Sequence, residues 1–174
     1  MQSLTSNSIE VAALRRVALE RLAWARMFTQ ALLAGFSDEQ LLIRAGGRGN
    51  HAMWVMGHLA QTDDAILSAL TGQPAHLPEP CRELFGENRE PTADAGDYPS
   101  KAKLTEMMES TRRRVTAWVE SLDETSAFQP TPPPLQRFAP DMITAAFALV
   151  AHEMLHVGQV TTIRAVLGLP RLLR

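Results

Sequence analysis

The chain has 174 residues, 45% of them hydrophobic, which fits one compact domain over residues 1–174 with a full core. Seventeen Lys and Arg against 19 Asp and Glu leave a formal net charge of −2, which argues against the basic face that a nucleic-acid partner requires. The single cysteine, Cys81, excludes an intramolecular disulfide and a multi-cysteine zinc site.

Met1 to Glu10 is polar and has no basic stretch followed by an apolar run, so no secretory signal is visible and a cytoplasmic setting is expected. No segment alternates in polarity long enough for a strand, while four long segments carry helical periodicity. The first is expected from about Ile9 to Leu33, with Ser8 as N-cap and Gly35 beyond its end. Ser37 and Gln40 then have capping-box spacing and predict a short turn, which the glycines of Ala45–Gly49 break.

The second helix is expected from Asn50, as its cap, to about Leu70, where Thr71-Gly72 ends it. The stretch from Gly72 to Pro99 reads as a long, Pro-rich, irregular connection. At roughly 3.3 Å per extended residue it can run the length of a bundle as a crossover. The third helix follows Ser100, with Leu104, Met107, Met108, Thr111, Val115, Trp118, Val119 and Leu122 in one stripe. Arg112, Arg113 and Arg114 read as a solvated face of it. The fourth runs from about Asp141 to Leu167 and is apolar around most of its circumference. Its most apolar run, Met142 to Ala151, is too short to cross a bilayer, so a buried core helix is expected. Trp24, Trp54 and Trp118 sit at helical apolar positions and read as core, and Cys81 as a half-buried loop residue.

The sharpest motif is His152-Glu153-Met154-Leu155-His156. Residues four apart stand one turn above each other, so both imidazoles can address one ion. The spacing is also that of HExxH peptidases, with the Glu as general base. No Asp, Glu or His follows His156, however, and Thr162 stands where the longer zinc pattern needs its last His. A third ligand must then come from upstream. His76 lies in the Pro-rich connection and His51 at the frayed start of the second helix. His58 lies mid-helix among Trp54, Val55 and Leu59, beside Gly57, which would let another helix approach. His58, His152 and His156 are therefore the candidate metal ligands. Three imidazoles leave a coordination position open, as catalytic sites do, and suit a divalent transition metal such as Zn, Ni, Fe or Cu. Gln159 shares the face of His152 and His156 and could bond a ligating His. Glu153 is turned about 100° away and reads as a solvent or inter-helix group. Gln159 and Glu153 are the candidate catalytic residues, and Trp54, one turn before His58, is a candidate wall of the site.

The run from Asn50 through Gly57-His58-Leu59-Ala60, and His152 through His156-Val157-Gly158-Gln159-Val160 with Arg164 and Leu167-Gly168, resemble the DinB-like (YfiT-like) superfamily of metalloenzymes. Gly35 to Leu41, Leu84-Phe85-Gly86 and Tyr98-Pro99-Ser100 extend the likeness over most of the chain. The resemblance implies an all-α four-helix bundle of up-down-down-up topology, a long crossover between helices two and three, and frequent homodimers. It also implies one divalent metal held by His58, His152 and His156. Relatives include thiol S-transferases that use bacillithiol, a mycothiol-dependent maleylpyruvate isomerase and the iron-binding domain of ergothioneine sulfoxide synthases. The expectation is a transferase or hydrolase acting on a small molecule, with a low-molecular-weight thiol as candidate partner. A non-catalytic metal-stapled or sensing bundle is the alternative, and an HExxH peptidase the remote one.

Overall fold

The computed structural model describes residues 2–87 and 89–172, and every regular element among them is helical. Helix α1 spans Gln2–Ala34, α2 Ala52–Thr71, α3 Glu79–Leu84, α4 Lys101–Ser121 and α5 Met142–Val166.

No Pro or Gly interrupts the chain before Gly35, so α1 begins well ahead of the expected start. Ser8 lies inside it rather than capping it, and its hydroxyl bonds the Glu124 carboxylate. Trp24 is not core. It is 38% exposed and stacks on Phe28 one turn later, at 5.4 Å between centroids. The Ser37–Gln40 capping box forms: the Gln40 N–H donates to Ser37 Oγ (3.3 Å) and the Ser37 N–H to Gln40 Oε1 (3.0 Å).

Helix α2 is capped by His51, not Asn50. His51 has extended backbone, and its Nδ1 accepts the Trp54 N–H at 3.1 Å, the role Ser or Asp usually fills. Its Nε2–H donates to the Thr92 carbonyl (2.9 Å), and the ring is fully buried against Tyr98, so this end is not frayed. The neutral ring satisfies both partners, whereas a protonated Nδ1 would face the Trp54 N–H. Burial accordingly pushes the His51 pKa below its ordinary 6.5. An unfolded chain then takes up this proton first as pH falls. The stability that neutral His51 contributes is complete above about pH 6.5 and is lost below it. A His51→Asn variant, which can still cap, is expected to lose less melting temperature than the wild type between pH 7.5 and 5.5.

Gly72, at φ +69°, closes α2 with its N–H on the Ser68 carbonyl. The connection that follows is not irregular throughout, because it carries α3 and a 3₁₀ turn at Ala95–Asp97. Asp64 of α2 anchors it. This buried carboxylate accepts the N–H groups of His76 and Leu77 (both 2.8 Å at Oδ2) and pairs with Arg114.

In α4 the expected stripe is buried except for Trp118, which is half-buried. The three arginines do not form a solvated face. Arg113 is exposed, Arg114 reaches Asp64, and Arg112 is 6% exposed inside the protein. Helix α5 opens on a capping box between Asp141 and Thr144. By length and composition alone α5 could cross a membrane. Here its buried face, from Ile143 to Arg164, packs into the core. Arg164 donates to the carbonyls of Leu32 (2.6 Å) and Pro170 (2.8 Å), tying the end of α5 to α1.

The core has two main apolar clusters. One joins Val11 and Leu22 of α1, Leu67 of α2, Val115 and Val119 of α4, and Ile143 and Leu149 of α5. The other joins Leu32 of α1, Val55 and Leu59 of α2, Leu104 and Met108 of α4, and Val160 and Ile163 of α5, together with Phe85 and Tyr98.

Candidate metal centre

The three histidines singled out by the sequence meet. His58 projects from α2 and His152 and His156 from successive turns of α5. His152 Nε2 lies 3.3 Å from His58 Nε2 and 3.2 Å from His156 Nε2. Four ligands about 2.0–2.1 Å from a tetrahedral ion stand about 3.3 Å apart, so these two spacings match that arrangement, and all three nitrogens lie within 4.8 Å of one another. Three ring nitrogens this close without a cation would crowd their lone pairs, since one proton can serve only one neighbour. Their donor chemistry and spacing fit a divalent metal, and they form the one three-residue ligand cluster found among the described residues.

The outer nitrogens determine which inner ones are free. His58 Nδ1–H donates to the Phe85 carbonyl at 2.8 Å, and His156 Nδ1–H donates to Gln159 Oε1 at 3.0 Å. Asn50 Nδ2 also donates to Gln159 Oε1 (3.3 Å), which orients the amide with its oxygen toward His156. Both rings are thereby held in the tautomer that leaves Nε2 unprotonated and directed at the centre. Trp54 stacks on His58 at 4.4 Å, so it does wall the site. Replacing Gln159 with Leu is expected to weaken metal binding about 10–100-fold, read by competition with a chromophoric chelator.

Burial lowers the proton affinity of all three rings, and for His152 and His156 the neighbouring imidazoles add to it, down to about 4. Neutral imidazole is the form that ligates.

Glu153 is not a solvent group. It is fully buried and forms a closed quartet with Arg26, Asp63 and Arg112. Arg26 Nε donates to Glu153 Oε1 (2.9 Å) and its Nη2 to Asp63 Oδ2 (3.1 Å). Arg112 Nη2 donates to Glu153 Oε2 (2.6 Å) and Asp63 Oδ1 (3.0 Å), and its Nε to Asp63 Oδ2 (2.9 Å). Burial alone would raise the Glu153 pKa, but the two guanidiniums hold it below the usual carboxylate value. In each long helix the quartet residue falls between the segments that feed the two apolar clusters.

The residues the sequence did not point to are Phe85, Thr62 and Glu87. Phe85 acts through its backbone, and Thr62 sits one turn after His58 with its hydroxyl 3.5 Å from Nε2. Glu87 lies in the long connection, near enough to His58 to favour its charged form. Thr62 had a signal in its position four residues after His58, and Phe85 one in the Leu84-Phe85-Gly86 likeness, which gave it no role at the site. His51 and His76 are not at the site. His51 caps α2, and the His76 backbone N–H bonds Asp64.

Taken together, the fold and the site define an all-helical protein whose three converging histidines could hold one metal ion. Residues 21–160 match the family model described as the DinB superfamily, and the chain belongs to that superfamily. No curated protein matches the chain.

Proposed function

We propose that this chain is a metal-dependent transferase or hydrolase acting on a small molecule, with a low-molecular-weight thiol as its candidate co-substrate. The observation that carries the reading is the convergence of three Nε2 atoms, with the outer nitrogens of His58 and His156 locked by Phe85 and Gln159. His58 and His152 also line a cavity, so the centre is reached from outside the core. A divalent ion held by His58, His152 and His156 would supply Lewis acidity and lower the pKa of a thiol or water taken up there. The protein's own part is to keep the rings neutral and aimed, and to place Thr62 and Glu87 beside the approach to His58. The metal would be Zn, Ni or Fe.

In this reading the four long helices form an up-down-down-up bundle with the α2–α4 connection as crossover. The composition of the two apolar clusters supports it. The later part of α1, the earlier parts of α2 and α4 and the later part of α5 share one cluster, and the opposite parts share the other.

A second reading, a bundle stapled by the metal without catalysis, draws on the ligands' joining α2 to α5. The peptidase reading has no support from Glu153, whose two oxygens both engage arginines in the core.

Elemental analysis is expected to give one divalent ion per chain, and His58→Ala or His156→Ala to lose it. In the Co-substituted protein, thiol titration is expected to bring in thiolate-to-metal absorption. A protein that binds metal but shows no spectral response to any thiol, hydroxyl or carboxylate ligand would leave the staple reading in place. Full turnover by His156→Ala would overturn the enzyme reading.

A further inference from the structure

The cavity that His58 and His152 line has a volume of about 560 Å³, within the range of small-molecule sites. It opens between α2 and α5 because the facing side chains are small: Ala65 on one wall, Ala145 and Ala148 on the other. Ile66 and Leu149 extend the apolar walls, and Phe138, itself 63% exposed, stands at the rim. Polar groups occur beside the histidines, where Gln61, Thr62 and Glu87 join the lining. Among the described residues no Lys or Arg lines the cavity. Arg137, the nearest cation in sequence to this wall, lies over the Phe138 ring, 4.4 Å from its centroid. Apart from an ion held by the histidines, a carboxylate, phosphate or sulfonate in the cavity would find no cation among the lining residues, would lose its hydration against apolar walls and would meet the Glu87 carboxylate. An alkyl or aryl group would gain by burial against the same walls.

We propose that this cavity selects a small, largely apolar molecule, an alkyl or aryl compound whose one polar end is directed at the histidines and whose body carries no negative charge. The proposal rests on the reading of the triad as a reaction centre and names the substrate class of that centre. It makes charged, multi-carboxylate thiols poor occupants of the cavity itself.

The test uses the uncharged fluorophore N-phenyl-1-naphthylamine with full-length protein, both chelator-treated and zinc-loaded. Saturable binding of one probe per chain is expected in both forms, because the apolar walls do not depend on the metal. Two thiols with the same reacting group then compete for the probe's site. 1-Hexanethiol is expected to displace it at least ten-fold more effectively than 2-mercaptoethanesulfonate. Filling the cavity from either side, by Ala148→Phe or Ala65→Phe, is expected to weaken probe binding ten-fold or more with far-UV circular dichroism unchanged. Glu87→Gln is expected to improve the sulfonate's competition about five-fold by removing one like charge.

Absence of saturable probe binding, equal competition by the two thiols, or unaltered binding in both folded phenylalanine variants would overturn the proposal. The two readings fail separately. Probe binding with no metal at the triad would sink the enzyme reading alone, and metal loading with no apolar selectivity would sink this one alone.

Discussion

Replacing Glu153 with Ala is expected to cost about 3–5 kcal/mol of folding stability, the range for removing one partner of a buried ion pair. The quartet of Arg26, Asp63, Arg112 and Glu153 is neutral as a whole, and every member is 6% exposed or less. Without Glu153, Arg26 Nε loses its acceptor, Arg112 Nη2 keeps only Asp63, and one positive charge is left uncompensated in the interior. Glu153→Gln preserves shape and one acceptor oxygen and is expected to lose less, though it leaves the same net charge. Urea unfolding of wild type and both variants measures the effect. A loss below about 1 kcal/mol for the alanine variant would mean that water reaches the quartet and compensates the arginines. Because Glu153 directly follows His152, the quartet also holds α5 in the rotation that presents His152 and His156 to His58. A folded Glu153→Gln protein is therefore expected to bind metal more weakly than wild type even though Glu153 is no ligand.

The second large effect is expected from the smallest substitution. A Cβ added at Gly57 would lie 2.2–2.4 Å from ring atoms of Phe85, closer than any real contact. Phe85 is fully buried in a packed cluster, so the ring cannot swing aside without displacing its neighbours or its own backbone. That backbone carries the carbonyl that accepts His58 Nδ1–H. Gly57→Ala should thus cost about 1–3 kcal/mol through overpacking and weaken metal binding about 10–100-fold through loss of the carbonyl that orients His58. Metal titration and thermal unfolding read the two effects. Trimming the ring in a Gly57→Ala/Phe85→Leu double variant should recover part of the metal affinity. Failure to recover any of it would place the defect elsewhere than in the Phe85 contact. What approaches Gly57 is the chain following α3, not another long helix as the glycine had suggested.

Much of the site was legible because its signals are local. The i, i+4 spacing of His152 and His156 puts both on one helical face wherever that helix packs, and Gln159, three residues on, comes with them. His58 was recognisable from apolar neighbours within one turn on either side. The caps were less legible: Asn50 is the better cap by type, but only the buried contacts with Thr92 and Tyr98 make the His51 ring the group that caps the start of α2. Trp24 misled for the converse reason, since periodicity marks a face but not whether anything covers it.

The arginines show the limit most clearly. Arg112, Arg113 and Arg114 are adjacent in sequence and meet three environments, because successive helical residues point about 100° apart. Which of those directions is solvent depends on partners far along the chain. Glu153 was uncertain for the same reason, its two arginines lying 127 and 41 residues away. The pairing of His152 with His156 was thus determined by the sequence itself, through a spacing that acts within a helical turn. His58, 94 residues from His152, was singled out by its apolar neighbours and the family resemblance, and it meets the pair only through the packing of α2 on α5. Only the tertiary structure decided the buried charge quartet, the Phe85 carbonyl that aims His58, and the apolar cavity beside the triad. Each of these arises where helices meet, and the pairing of distant side chains leaves no periodic trace in any one helix.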